Sequence, residues 1–135
     1  MNPPLFVRIV LGLSAVTFGA LGLCFLVDPV GWAAVVELQP GSPLAVSDIR
    51  TVYGGLELGL ALGIGIGVVR PSLAHASLLV HNAAWGGLAL GRVLSLGIAA
   101  PPGSYSWLLL GSEAFGLLLG VAAWRSMRAS AADPR

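Results

Sequence analysis

The feature that most constrains the fold is a series of four long apolar stretches separated by proline-containing breaks. They cover residues 5–27, 49–69, 73–99 and 105–124. Each supplies about 20 mainly apolar residues, the length that an α-helix needs to cross the hydrocarbon core of a bilayer. The first stretch is too long for the apolar region of a secretory signal peptide, and similar stretches follow it. We therefore predict an all-α fold in which residues 1–135 form one transmembrane four-helix bundle.

The breaks contain Asp28-Pro29, Arg70-Pro71 and Pro101-Pro102-Gly103. Proline ends a helix because it lacks an amide hydrogen and disfavours helical geometry in the residue before it.

The first connection is the only long one and contains Val30, Ala34 and Leu38 at four-residue spacing around Trp32. This spacing predicts a short helix that lies in the membrane interface, with the indole ring at the level of the headgroups. An irregular loop is nearly as compatible with the same residues.

Arginine placement predicts the orientation of the chain. Arg70 lies in the second connection, and Arg125, Arg128 and Arg135 follow the fourth stretch. The first and third connections carry neither arginine nor lysine. Because positive residues concentrate on the cytoplasmic side, we predict a multi-pass membrane protein with cytoplasmic N- and C-termini.

Composition excludes several classes of protein. Charged residues make up 10% of the chain, compared with about 25% in a soluble domain. The net charge of +1 gives no basic face for a nucleic acid. Cys24 is the only cysteine, so no intrachain disulfide can form. Histidines and acids lack the spacing of metal ligands, and we predict neither a metal site nor a cofactor.

Three ionisable side chains, Glu57, Arg92 and Glu113, lie inside the apolar stretches. A charge at membrane depth is costly, so such residues usually face the interior of a bundle and indicate a site. Counted from the ends of their stretches, all three lie ~12–13 Å along their helices. We predict that they share one level, in the outer half of the bilayer.

Further residues extend this predicted cluster. Arg50, Tyr53 and Glu57 are spaced by three and four residues, which places them on one side of the second helix. Asp48 lies at the outer end of that helix, where it is also placed to cap the first turn. His81 is a secondary candidate on the third helix, although a hydrogen-bonded contact between helices explains it as well.

The cluster has an excess of one negative charge, because Arg92 faces both Glu57 and Glu113. A bare carboxylate should not persist there, since removing an ion from water costs several kcal/mol. Three explanations remain open: one glutamate is protonated, Arg50 reaches inward, or a water-filled cavity opens to the outer face. A Glu–Arg pair that only holds two helices together is as compatible with the sequence as a ligand or proton site.

Glycine spacing predicts how the helices pack. The second stretch contains a glycine stripe, and shorter glycine pairs recur in the third and fourth stretches: Gly55, Gly59, Gly63 and Gly67; Gly87 and Gly91; Gly116 and Gly120. Small residues at this spacing let two helix backbones approach closely. We predict that the second helix packs against a neighbour through this stripe, as in a glycine zipper.

The segment from Asp48 to Gly59 resembles the signature of a family of small bacterial four-helix membrane proteins that is classified as a domain of unknown function. The pattern is Asp-x-Arg-x-x-Tyr-Gly-Gly, followed by an arginine late in the third helix and a glutamate early in the fourth. The positions that fit it here are Asp48, Arg50, Tyr53, Gly54, Gly55, Arg92 and Glu113. Glu57 stands where the pattern is expected to carry a neutral polar residue. The resemblance implies an inner-membrane four-helix protein and no particular activity.

Two functions remain. We favour a non-enzymatic protein of the lipid bilayer that binds a small lipophilic ligand or a membrane partner at the Glu/Arg level, with a homo-oligomer as a further option. The alternative is a small intramembrane isomerase or hydrolase that uses Glu57 or Glu113 as acid or base. An enzyme needs a pocket on the order of several hundred Å³, and helices packed through glycine are expected to leave little room for one.

Overall fold

The computed structural model describes residues 2–98 and 104–132, which are helical and contain no strand. The helices are α1 (Leu5–Val27), α2 (Pro29–Val35), α3 (Pro43–Val69), α4 (Ala74–Ile98) and α5 (Ser104–Ala132). A 3₁₀ turn, Pro71–Leu73, joins α3 to α4. The predicted break Pro101-Pro102-Gly103, the predicted end of the third stretch at Ala99, and Arg135 lie outside the described residues.

Three of these helices, α1, α3 and α5, are long and apolar enough to cross a membrane. Helix α4 has 25 residues but is more polar, since it carries His81, Asn82 and Arg92. The chain is therefore compatible with a membrane protein, and the number of spans depends on whether α4 also crosses the bilayer.

Helix α2 begins directly after α1 ends, at the Asp28-Pro29 pair. The carboxylate of Asp28 accepts a hydrogen bond from the amide of Gly31 (2.9 Å) and so caps α2. Pro29 occupies the first turn of α2, where its missing amide hydrogen costs nothing. A short helix thus occupies part of the first connection, while its position in the membrane interface stays a prediction.

Helix α3 begins earlier than the apolar stretch suggests, and the predicted capping role of Asp48 is wrong. Ser42 is the N-cap, with its hydroxyl oxygen accepting from the amide of Ala45 (3.2 Å), and Pro43 follows it. A serine cap followed by proline is a strong helix start, so the first turn forms there. Asp48 lies inside the helix and is exposed.

Each long helix packs against the next long helix in the sequence, and α5 also packs against α1. Helix α1 packs against α3 and α5, and α4 packs against the same two helices. Along the α1–α3 contact, Gly22 lies against Leu58, Gly19 against Ala61, and Ala15 against Gly65. Sequence numbers fall along α1 as they rise along α3, so the two helices are antiparallel.

The predicted glycine stripe does not form one packing face. Open space surrounds the α-carbons of Gly55 and Gly59, and Gly63 makes only an ordinary contact with Val80. Close approach occurs instead at Gly54, against the backbone of Leu26. Gly55 lies in the π-helix Arg50–Leu56, whose wider turn changes the rotation between residues. Gly59, Gly63 and Gly67 lie in regular α-helix, where each four-residue step turns about 40° beyond a full rotation, so the stripe winds around the helix instead of marking one face.

Close packing at the other end of α3 involves Gly67, which lies against Ser77 of α4 and Leu11 of α1. On α5, Gly116 and Gly120 lie against the rings of Trp85 and His81, whereas Gly87 and Gly91 on α4 face open space. Small residues thus allow close contact only where two helices cross.

The hydrophobic core lies towards the end of the structure that contains the Arg70 turn and the last turns of α5. Its members come from all four long helices and include Val7, Leu11, Ile64, Ala74, Leu78, Ala123 and Met127. At the opposite end α1 and α3 stay in close contact at Gly54, and a cavity lies among side chains of the four long helices.

Candidate functional site

A cavity of about 440 Å³ lies between the long helices on the side of α2. The prediction that the helices leave little room for a pocket is therefore wrong. Six aromatic side chains contribute to its wall: Phe18, Phe25, Trp32, Tyr53, Trp85 and Tyr105. This volume is within the range of small-molecule sites.

Helix α2 closes one side of the cavity. Trp32, Val35 and Val36 line it, and the Trp32 ring lies 6.4 Å from the ring of Phe25. The Phe25 ring is also 5.2 Å from that of Tyr53. Aromatic contacts at these distances are favourable, so α2 is held over the cavity by its own side chains.

Trp85 forms the inner end of the cavity. Its ring lies 5.2 Å from that of Phe18, and its indole nitrogen donates a hydrogen bond to the hydroxyl of Ser14 (3.0 Å). Both contacts tie α4 to α1. The indole thus separates the core from the cavity.

Arg92 and Glu113 form an ion pair in the cavity wall. The Nε atom of Arg92 donates to both carboxylate oxygens of Glu113 (2.9 and 2.8 Å), and Nη2 donates to Oε1 (2.6 Å). The Glu113 side chain is only 6% exposed and that of Arg92 is 27% exposed. Charge-assisted bonds of this kind are strong and directional, so Glu113 is committed to Arg92.

Glu57 lines the same cavity and is half-buried. Its Oε2 atom is buried and accepts no hydrogen bond from any residue that the structure describes. The structure thus brings Glu57, Arg92 and Glu113 to one cavity, with the positive charge paired to Glu113. This leaves Glu57 as the carboxyl group available to a ligand.

Of the other predicted site residues, only Tyr53 reaches the cavity. The Nε atom of Arg50 donates instead to the carbonyl oxygen of Leu26 (3.1 Å). This carbonyl belongs to the last turn of α1, where no partner exists within the helix. The hypothesis that Arg50 reaches inward is therefore wrong, because Arg50 caps α1. Asp48 is exposed and does not line the cavity.

His81 lies away from this cavity, in the packed part of the structure. It is fully buried, and its Nε2 atom lies 3.0 Å from the carbonyl oxygen of Gly116, which can only accept. This contact ties α4 to α5, as the structural alternative for His81 predicted.

Several residues that line the cavity were not among the site residues predicted from the sequence. Phe18, Leu21 and Phe25 on α1 line the cavity at helical spacing, a signal that was present in the sequence. Tyr105, at the start of α5, is a further lining residue. The wall also includes two hydroxyl groups, those of Thr17 and Ser112.

A groove of about 300 Å³ borders the cavity on the surface of α3 and α4. The two share four lining residues: Phe18, Tyr53, Glu57 and Leu88. Exposed Val52 and Leu56 form the rest of its outer edge. Glu57 therefore stands at the boundary between the cavity and an apolar surface.

Over residues 2–98 and 104–132, no group of three or more His, Cys, Asp or Glu side chains could hold a metal ion. The cavity wall contains one ion pair, one carboxyl group without a partner among the described residues, four hydroxyl groups and aromatic rings.

No curated protein and no solved structure matches this chain. Residues 6–126, nearly the whole chain, match a family described as a domain of unknown function, DUF4345. This match covers both the helices and the cavity residues, and the chain therefore belongs to the DUF4345 family.

Proposed function

We propose that this chain is an integral protein of a bacterial inner membrane, with four transmembrane helices, that binds a small lipophilic ligand in its cavity. Support for a fourth span comes from the side chains of α4. The polar residues that make α4 less apolar are turned inward, since His81 is buried and Arg92 is paired with Glu113. Along its length α4 also packs between α3 and α5, two helices that are apolar enough to cross a membrane.

The proposed orientation places both termini and Arg70 in the cytoplasm and the cavity in the outer half of the bilayer. Four arginines near the packed end support this orientation: Arg8, Arg70, Arg125 and Arg128. Residues 28–47 contain no arginine.

Cysteine labelling tests this orientation in a Cys24→Ser background. We expect an impermeant thiol reagent to label Gln39→Cys in intact cells and Ser130→Cys only after the membrane is opened. Both positions are exposed. Labelling of Ser130→Cys in intact cells, with Gln39→Cys protected, would reverse the proposed topology.

The observation that carries the ligand proposal is the cavity itself, with its apolar wall and its few polar groups. Pockets that bind small molecules have this composition, because apolar surface supplies affinity and a few polar groups supply orientation. The bordering groove on α3 and α4 adds a route for a lipophilic molecule from the bilayer.

Filling the cavity tests the proposal. We expect Thr17→Phe to displace the molecule that copurifies with the wild-type protein, as measured by mass spectrometry of the organic extract. Thr51→Phe is the matched control. Each threonine donates its hydroxyl to a carbonyl oxygen four residues earlier (2.9 Å in both), but Thr51 does not line the cavity. Equal recovery of the molecule from both variants, or none beyond bulk lipid in the wild type, would contradict ligand binding in this cavity.

A further inference from the structure

We infer that the ligand is a lipophilic organic cation, with the carboxylate of Glu57 as its counter-ion and the aromatic rings of the cavity around it. This inference rests on the proposed function and names the chemical class of the ligand.

The charge of the cavity wall favours a cationic ligand. Glu57, Arg92 and Glu113 are its charged lining residues. Arg92 directs Nε and Nη2 at Glu113, so the pair is neutral as a unit. The remaining charge is that of Glu57, whose buried Oε2 has no partner among the described residues. A buried carboxylate without a counter-ion is unfavourable, and a bound cation removes that penalty.

The aromatic side chains of the cavity wall also favour a cation. The negative face of an aromatic ring attracts a cation, and aromatic cages recognise quaternary ammonium groups. Two of the six aromatic lining residues, Phe18 and Tyr53, also border the groove together with Glu57. A cation seated against Glu57 therefore has a carboxylate and aromatic rings beside it.

The same wall disfavours the other ligand classes. An anion would meet no net positive charge in this wall, because the Arg92–Glu113 pair is neutral as a unit and the Glu57 carboxylate would repel it. A neutral apolar molecule would leave the negative charge of the Glu57 carboxylate without a counter-ion. The ligand must also be lipophilic, because the groove that leads to Glu57 is bordered by Val52, Leu56 and Leu88.

A pair of isosteric probes tests the inference. Phenylbutyltrimethylammonium is the cation, and the uncharged analogue carries a tert-butyl group in place of trimethylammonium. Binding is followed by the fluorescence of the tryptophans, two of which (Trp32 and Trp85) line the cavity. The protein is reconstituted in nanodiscs of zwitterionic lipid, so that the bilayer itself does not attract the cation.

We expect the cation to bind the wild-type protein more tightly than its isostere. We expect Glu57→Gln to raise the Kd of the cation roughly 30-fold or more, as for the loss of one partner of a buried charge pair. The Kd of the isostere should not change. Asp48→Asn removes the same charge at an exposed position outside the cavity and should leave both values unchanged.

The outcomes separate the two proposals. If the isostere binds the wild-type protein as tightly as the cation, or if Glu57→Gln leaves the Kd of the cation unchanged, the cation inference is wrong while the cavity remains a ligand site. If neither probe changes the fluorescence and Thr17→Phe retains the copurifying molecule, both proposals fail. The comparison of the two probes needs only the wild-type protein, so this test of the cation inference remains valid even if the Glu57→Gln variant does not fold.

Discussion

Arg92→Leu is expected to lower the free energy of unfolding by about 3–5 kcal/mol, because it leaves a buried carboxylate without its partner. Glu113 is 4% exposed and takes three hydrogen bonds from Arg92, so no solvent replaces them. Unfolding by titration with a denaturing detergent, from mild-detergent micelles, measures this change.

The double variant Arg92→Leu with Glu113→Leu shows whether the pair acts only between α4 and α5. Replacing both members of a buried pair with apolar residues is often nearly neutral. We therefore expect the double variant to recover most of the stability that Arg92→Leu loses. An Arg92→Leu protein as stable as the wild type would contradict the ion pair as a structural contact.

Gly67→Ala is expected to lower the free energy of unfolding by about 1–3 kcal/mol, because it overpacks a helix crossing. A β-carbon at Gly67 would lie 2.6 Å from both the Cβ and the Oγ atoms of Ser77. Ser77 cannot easily move away, since its hydroxyl donates to the carbonyl oxygen of Gly63 (2.8 Å). Thermal unfolding in detergent, followed by circular dichroism, measures the effect.

Gly59→Ala is the matched control for this variant on the same helix. No atom lies within 4 Å of a β-carbon built there. Alanine also has a higher helix propensity than glycine, so we expect stability to be unchanged or slightly raised. Equal losses of stability in the two variants would contradict the packing described for α3.

The level shared by Glu57, Arg92 and Glu113 could be anticipated from the sequence, because position along a helix follows from counting residues. Which carboxylate pairs with Arg92 could not be anticipated from the sequence. Arg92 faces two carboxylates at similar depth, and rotation of the helices about their axes decides which one it meets. That rotation is set by packing, for instance by the rings of Trp85 and His81 against Gly116 and Gly120.

The position of Arg50 and the packing of the glycine stripe also could not be predicted from helical spacing. Helical spacing places Arg50, Tyr53 and Glu57 on one side of an ideal helix. In the structure the π-helix Arg50–Leu56 intervenes, and Arg50 caps α1 while Tyr53 and Glu57 line the cavity. The hydrogen-bond register that creates a π-helix depends on neighbouring helices, so periodicity alone could not predict it.

The sequence by itself indicated that the chain is helical, that its apolar stretches are long enough to cross a membrane, and that Glu57, Arg92 and Glu113 lie at one level along their helices. These properties follow from local hydropathy and from the fixed rise of an α-helix. Only the tertiary structure decided which carboxylate Arg92 binds, which glycines allow close contact, and that a cavity lies beside Glu57. Those features depend on where side chains from different helices hold the backbones apart or let them approach, and that is a property of the packed helices together.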